Sequence, residues 1–241
     1  MNGRCVPWPF FASEEEILFR TQTTSTLGLD KCSRRFRLAS EQPRVVLVVA
    51  GTRPECIKLA TVIRELGRRE GLRAVVVNSG QHAARVRETL AGFDIRCDVE
   101  LTPLPSLANL AASCRNLEAR LQQLIEQIQP AVVLVQGDTL TAYAAARAGH
   151  AVGFPVAHIE AGLRTDIAAD PFPEELFRRR IARHANVHFA PCKSAVRNLE
   201  LEGIDPARIH RVGNTGIDSL RALLEEHDYR PKGAVARTLI R

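Results

Sequence analysis

The sequence predicts a doubly wound parallel α/β sheet, and three observations carry that prediction. Apolar runs of strand length recur seven times, from Val45 to Ala50 at the start to Ile209 to Val212 at the end. Segments of helical period or length separate them, so the repeating unit is strand–helix–strand. One such unit is complete in residues 131–180. Its strands are Ala131 to Val135 and Pro155 to Ile159, with the Ala-rich stretch Leu140 to Val152 between them. Acidic residues fall where its strands end: Asp138 after the first and Glu160 after the second, with Glu174 and Glu175 opening the next helix. Ligands of open α/β sheets bind at the carboxyl ends of the strands. Carboxylates from three separate places are therefore aimed at one expected crevice.

Taken in order, residues 1–43 show no sustained period. They combine Pro7 and Pro9, the run Glu14 to Glu16, the polar stretch Thr21 to Thr26 and the basic cluster Arg34, Arg35 and Arg37. This composition reads as a poorly ordered extension with a short helix near Glu14 to Arg20. The folded domain is expected over 44–224. Val45 to Ala50 is a buried strand, and Gly51 to Glu55 turns into a helix, with Pro54 suited to the first helical position. Ile57, Leu59, Val62, Ile63 and Leu66 populate that helix. Ala74 to Asn78 is the second strand, Ser79 to His82 its exit turn, Ala83 to Ala91 a helix, and Asp98 to Leu101 a short third strand. From Leu107 to Ile128 apolar residues recur every three or four positions until Pro130, which predicts a long helix. After the central unit come a strand at Val187 to Ala190, a helix at Lys193 to Glu202, the last strand, and a helix through Ile217, Leu220, Leu223 and Leu224. Residues 225–241 lose the pattern and read as a tail.

The formal charge is +6, but residues 1–44 and 226–241 supply +4 of it. The middle is nearly neutral and lacks the basic stripe of a nucleic-acid binder, so no nucleic-acid partner is expected. The six cysteines show no CxxC pair and no metal-ligand spacing, which fits free thiols in a reducing compartment and no metal. No apolar run approaches the ~18–20 residues of a membrane span, so no membrane partner is expected either.

Each chemistry-bearing residue has a plainer reading beside the functional one. The turn Gly51 to Glu55 is neither GxGxxG nor GxxxxGK[ST], which gives no support to a nicotinamide cofactor. Its amides could meet a phosphate with charge from Arg53 and Lys58, or Arg53 could simply pair with Glu55. Asp138 reads as a helix N-cap or as a ligand contact. Glu174 and Glu175 read as first-turn acids facing the helix dipole or as working groups. Glu160 closes an apolar strand, where a carboxylate must be paired or used; Arg164 is the nearby candidate partner. His82 is a turn residue or a ligand contact. Arg178, Arg179, Arg180 and Arg183 read as a solvated helix face.

Seven motifs stand in order at suitable spacing: GTRPExIK (51–58), SGQH (79–82), QGDT (136–139), HIEAGLRT (158–165), PFPEE (171–175), HFAP (188–191) and GNTxID (213–218). Together they resemble the non-hydrolysing UDP-N-acetylglucosamine 2-epimerases over about residues 44–224. The resemblance implies a Rossmann-like domain forming the N-terminal half of a GT-B-like two-domain fold. It implies an isomerase that interconverts UDP-GlcNAc and UDP-ManNAc by eliminating UDP and adding it back, with no redox cofactor and no metal. By motif, Asp138, Glu160 and Glu174 take the catalytic carboxylate positions. Arg53, Lys58, Thr139 and Arg164 take substrate-binding positions. Gln81 and His82 match a second, regulatory UDP-GlcNAc site. The complete enzyme is expected to be a cytoplasmic homodimer.

The sequence departs from the family in three ways. Phe177 stands where the family has Asn, beside the support of Glu174. Cys56 and Thr61 replace an Ala and a Pro of the first helix. The Gly-His-Arg-rich loop and the Ser-Gly-Gly…Glu-Glu stretch of the second domain do not occur in the sequence. The chain therefore reads as the N-terminal half, inactive alone, with a separate C-terminal-domain chain as an expected partner. The rival readings are an epimerase of another UDP-2-acetamido sugar and a non-catalytic sugar-nucleotide-binding module.

Overall fold

The computed structural model describes residues 42–104, 109–165, 167 and 170–226. Its strands are β1 (Arg44–Ala50), β2 (Leu72–Asn78), β3 (Val99–Glu100), β4 (Val132–Gln136), β5 (Val156–Ile159), β6 (Val187–Ala190) and β7 (Ile209–Arg211). The helices are α1 (Arg53–Arg68), α2 (Ala83–Ala91), α3 (Leu110–Ile128), α4 (Leu140–Ala151), α5 (Glu174–His184), α6 (Lys193–Leu201) and α7 (Thr215–Glu226), with a 3-10 turn at Pro206–Arg208. All neighbouring strands pair in parallel, in the order β3-β2-β1-β4-β5-β6-β7. The chain winds outward from β1 on one side, then returns to β4 and winds outward on the other. The carboxyl ends of β1 and β4 therefore flank a topological switch point, where a crevice must open.

Strand alternation builds a core on each face. Val46, Val48 and Ala50 pack with Cys56, Leu59, Ile63, Val86 and Leu90 of α1 and α2. Leu47 and Val49 pack with α3, α4 and α5 through residues such as Leu117, Leu121, Ala145 and Ile181. Helix α4 explains its own composition. Ala142, Ala144, Ala145, Ala146 and Ala148 have no exposure at all. A Cβ on Gly149 would come within 2.8 Å of the Val156 side chain. A helix buried on nearly every side must be narrow, and alanine makes it so.

The expected elements form, with small shifts at their ends. β3 is shorter than Asp98 to Leu101 because Asp98 turns its carboxylate onto the Val76 amide at 2.8 Å. The long helix is capped by Asn109, whose side chain accepts from Ala112 N at 3.0 Å. The expected start at Leu107, the extension up to residue 41 and the tail from 227 lie outside the described residues. Among the described residues no helix is long and apolar enough to cross a membrane.

Two features of the sheet give checks on stability. Gly51 leaves β1 directly over a hydrogen bond of 2.7 Å between Ser79 and Thr141. A Cβ there would lie 1.9 Å from Thr141 Oγ1 and 2.5 Å from Ser79 Oγ, both on buried residues. Gly51→Ala is expected to destabilise by about 1–3 kcal/mol through overpacking. An unchanged urea midpoint would show that the turn can open freely.

His158 of β5 sits in register with His188 of β6, and both are buried. Burial pushes the His158 imidazole down to about 4, against a 2.7 Å hydrogen bond from Nε2 to Gly137 O. Burial likewise pushes His188 down to about 3, with His158 adding to the effect. Both values lie below the ordinary 6.5, so the unfolded chain binds protons first. The stability tied to His158 is full above pH 6.5 and is lost as pH falls toward 4. His158→Gln keeps a donor for Gly137. It should flatten the urea-midpoint curve in that window by on the order of 3 kcal/mol at the acid end. A slope identical to the parent's would mean that His158 titrates alike folded and unfolded.

Candidate active site

The crevice at the switch point is built from helix N-termini. α1 begins right after β1, and α4 begins right after β4. Glu55 holds the two together. Its Oε2 accepts from Gly51 N at 2.8 Å and Thr52 N at 2.7 Å, and its Oε1 accepts from Thr139 Oγ1 at 2.5 Å. Thr139 in turn caps α4, its hydroxyl oxygen accepting from Ala142 N at 3.1 Å. Burial pushes the Glu55 carboxyl above its ordinary value, partly offset by the hydrogen bonds from Thr139, Gly51 and Thr52. The Thr52-x-x-Glu55 spacing is that of a capping box, the signal that could have marked Glu55 in the sequence. The suggested pairing of Arg53 with Glu55 does not occur, because backbone amides and Thr139 already fill the carboxylate.

A cleft of about 380 Å³ opens above this junction. Asp138 and Glu174 both line it, and so do Arg53, Gln81, His82 and Thr139. Asp138 is not the cap of α4, since Thr139 takes that place. It lies one residue earlier and pairs with Arg178 of α5. Arg53 and His82 are exposed. Gln81 is anchored: its Oε1 accepts from Thr141 Oγ1 at 2.7 Å and Thr141 N at 3.2 Å, which leaves its amide donors for the cleft.

Glu160 stands on the other side of Gly137. A Cβ on Gly137 would lie 3.7 Å from Glu160 Oε2. Lys58 Nζ donates to both oxygens of Glu160, at 2.8 and 2.6 Å, and Gln136 Nε2 donates to Oε2. Glu160 adopts φ +67°, a left-handed conformation that costs a side-chain-bearing residue about 1–2 kcal/mol. The next loop residues are locked onto α6. A Cβ on Gly162 would lie 2.2 Å from Ala195 O, and Asn198 Nδ2 donates to Gly162 O at 2.9 Å.

Two sequence expectations are corrected here. The cation on Glu160 is Lys58 rather than Arg164. Arg164 instead makes a two-pronged pair with Glu202 of α6, Nε and Nη2 each at 2.7 Å, and its Nη1 donates to Leu163 O. The basic run on α5 is a solvated face only at Arg180 and Arg183, which are exposed; Arg178 bridges Asp138 and Glu175, and Arg179 reaches Glu175 and Glu202. Glu175 stands in the first turn of α5 as expected, but it is fully buried and paired with Arg178 and Arg179. Phe177 fills its position by stacking on Tyr143, ring centres 4.8 Å apart, and forms an apolar wall of the cleft. Gln136 and Arg178 were missed in the sequence. Arg178 follows Glu175 by three residues on a helix, a legible pairing distance, but its contact with Asp138 depends on β4.

The family model for UDP-N-acetylglucosamine 2-epimerase matches residues 64–239. A UDP-N-acetylglucosamine 2-epimerase from Neisseria meningitidis serogroup A is 39% identical over 181 residues, covering 75% of this chain and 49% of the relative. One from Bacillus subtilis is 38% identical over 181 residues, covering 75% and 48%. The crystal structure of the N. meningitidis enzyme bound to UDP-GlcNAc superposes with a TM-score of 0.73 at 38% identity, over 76% of this chain and 50% of that one. The Methanocaldococcus jannaschii enzyme in complex with UDP-GlcNAc and UDP gives 0.72 at 28% identity, over 77% and 51%. The chain spans about half the length of the curated relatives it matches. With its seven-stranded parallel sheet, its ordered motifs and these matches, the chain belongs to the UDP-N-acetylglucosamine 2-epimerase family.

Proposed function

We propose that this chain supplies the carboxylate-bearing wall of an enzyme that interconverts UDP-GlcNAc and UDP-ManNAc. The observation that carries this reading is the meeting of Asp138 and Glu174 in one cleft at the switch point, with Glu160 just beyond Gly137. Inverting carbon 2 needs a base on one face of the sugar and an acid on the other. A base takes the carbon-2 proton, the carbon 1–oxygen bond to UDP breaks, and the electron pair becomes the carbon 1–carbon 2 double bond. Reprotonation from the opposite face and return of UDP complete the change. Asp138, Glu160 and Glu174 share these proton transfers and the stabilisation of developing charge. Arg53, Lys58 and the Thr139 turn meet the anionic leaving group, helped by the N-termini of α1 and α4. Arg164, held by Glu202, acts as a tether of the β5 exit loop instead of a substrate contact. Gln81 and His82 would meet a second UDP-GlcNAc beside the first. The reading places the working enzyme in the cytoplasm, as a homodimer whose protomers each join residues 44–224 to a second domain.

Elimination exposes a reactive glycal, which must be shielded from water by a closed cleft. This wall alone is open. The 241-residue chain is therefore expected to give no turnover when incubated with UDP-GlcNAc in heavy water. Sustained formation of UDP-ManNAc at ~1 per second or faster would overturn that. With the remaining half supplied as a separate chain, activity and carbon-2 deuterium exchange should appear. Asp138→Asn, Glu160→Gln and Glu174→Gln should each then lower the rate roughly 10²–10⁴-fold with smaller effects on binding. A variant that keeps full rate and full exchange leaves the catalytic set.

A further inference from the structure

Six charged side chains of alternating sign run without a break from the cleft to α6. Asp138 pairs with Arg178 Nη2. Arg178 Nη1 donates to Glu175 Oε2 at 3.0 Å. Glu175 Oε1 lies 2.9 Å from Arg179 Nε. Arg179 Nη1 lies 3.4 Å from Glu202 Oε1, and Glu202 grips Arg164 with both oxygens at 2.7 Å. One end is the Asp138 turn, and the other is the loop that carries Glu160.

Glu175 is the buried centre of this ladder. Its side chain has no exposure, whereas Arg178 is 18% and Arg179 36% exposed. Its approach to Arg179 is a charge contact off the line of a hydrogen bond, so one carboxylate oxygen is held by electrostatics alone. A buried carboxylate paired in this way is seldom worth its desolvation as a stability device, since apolar residues of similar volume do as well. What this pairing does provide is geometry. With Nη1 on Glu175 and Nη2 on Asp138, the Arg178 guanidinium is fixed in its plane and cannot follow water.

We propose that Glu175 is a positioning residue that locks Arg178 across Asp138 and, through Arg179 and Glu202, yokes the Asp138 turn to the loop bearing Glu160. The proposal rests on the reading of Asp138 and Glu160 as working carboxylates. Glu175 touches no reacting atom and acts only through Arg178.

The test begins on the 241-residue chain with a readout that needs no activity. In ¹⁵N-labelled protein, the Arg178 guanidinium is assigned by its loss in Arg178→Lys, and its rotation is followed by NMR. Glu175→Gln should speed that rotation by about 10-fold or more, as loss of one charge-assisted hydrogen bond implies, with an unchanged circular dichroism spectrum. In the enzyme completed with its second half, the same variant should lower kcat by about 10- to 100-fold and leave KM within about 3-fold, the pattern of misplacement rather than lost binding. Rotation as slow as in the parent, or free rotation with unchanged kcat, overturns the proposal. If Glu175→Gln does not fold, Glu202→Gln at the half-exposed end carries the test. It should free Arg179 and lower kcat by a smaller factor, and no change in both readouts overturns the yoke. Full activity in Asp138→Asn would instead bring down the catalytic reading, whatever the Arg178 rotation shows.

Discussion

A single buried carboxylate holds the switch point together. Glu55 takes two backbone amides from the β1 exit and a hydroxyl from the β4 exit, so the starts of α1 and α4 are tied through one side chain. Both helix N-termini carry partial positive charge, which gives a buried anion at their junction a physical reason to be there. Part of what is proposed for the cleft hangs from these two turns. Arg53 rides on the first, and Thr139 and Asp138 ride on the second. Gly51 must be glycine for the same reason, because the turns approach too closely for a Cβ.

The wider site repeats this arrangement with longer side chains. Each proposed carboxylate whose partner is seen is matched to a cation from a different helix: Glu160 to Lys58 of α1, Asp138 to Arg178 of α5. On the proposed reading, a cluster of unpaired anions would repel a nucleotide diphosphate. Pairing across elements also makes the site a sensor of packing. The Glu160 loop is clamped to α6 by Gly162, Asn198 and Arg164, so the strained φ at Glu160 is maintained by contacts well outside the cleft.

Much of the fold was legible because its signals are local. Runs such as Val45 to Ala50, the period of α3 and the alanines of α4 need no knowledge of neighbours. Parallel strands with alternating helices leave few topologies open. Asp138 and Glu174 were legible as cleft residues because a strand exit and a helix start at this edge of the sheet face the crevice, whereas Glu160, also at a strand end, lies beyond Gly137 and does not line it. Their partners were not. Arg164 is four residues from Glu160 in the chain and was the natural guess, yet it turns to Glu202, while Lys58 arrives from 102 positions away. The basic run on α5 looked solvated because nothing in its own spacing shows that β4 delivers Asp138 to it.

Apolar periodicity thus determined the strands and the helices, because each depends on residues within a few positions of one another. The pairing of charges was decided by the three-dimensional packing. Which guanidinium meets which carboxylate depends on crossings between elements distant in sequence, and on burial that makes an unpaired charge costly for groups such as Glu175.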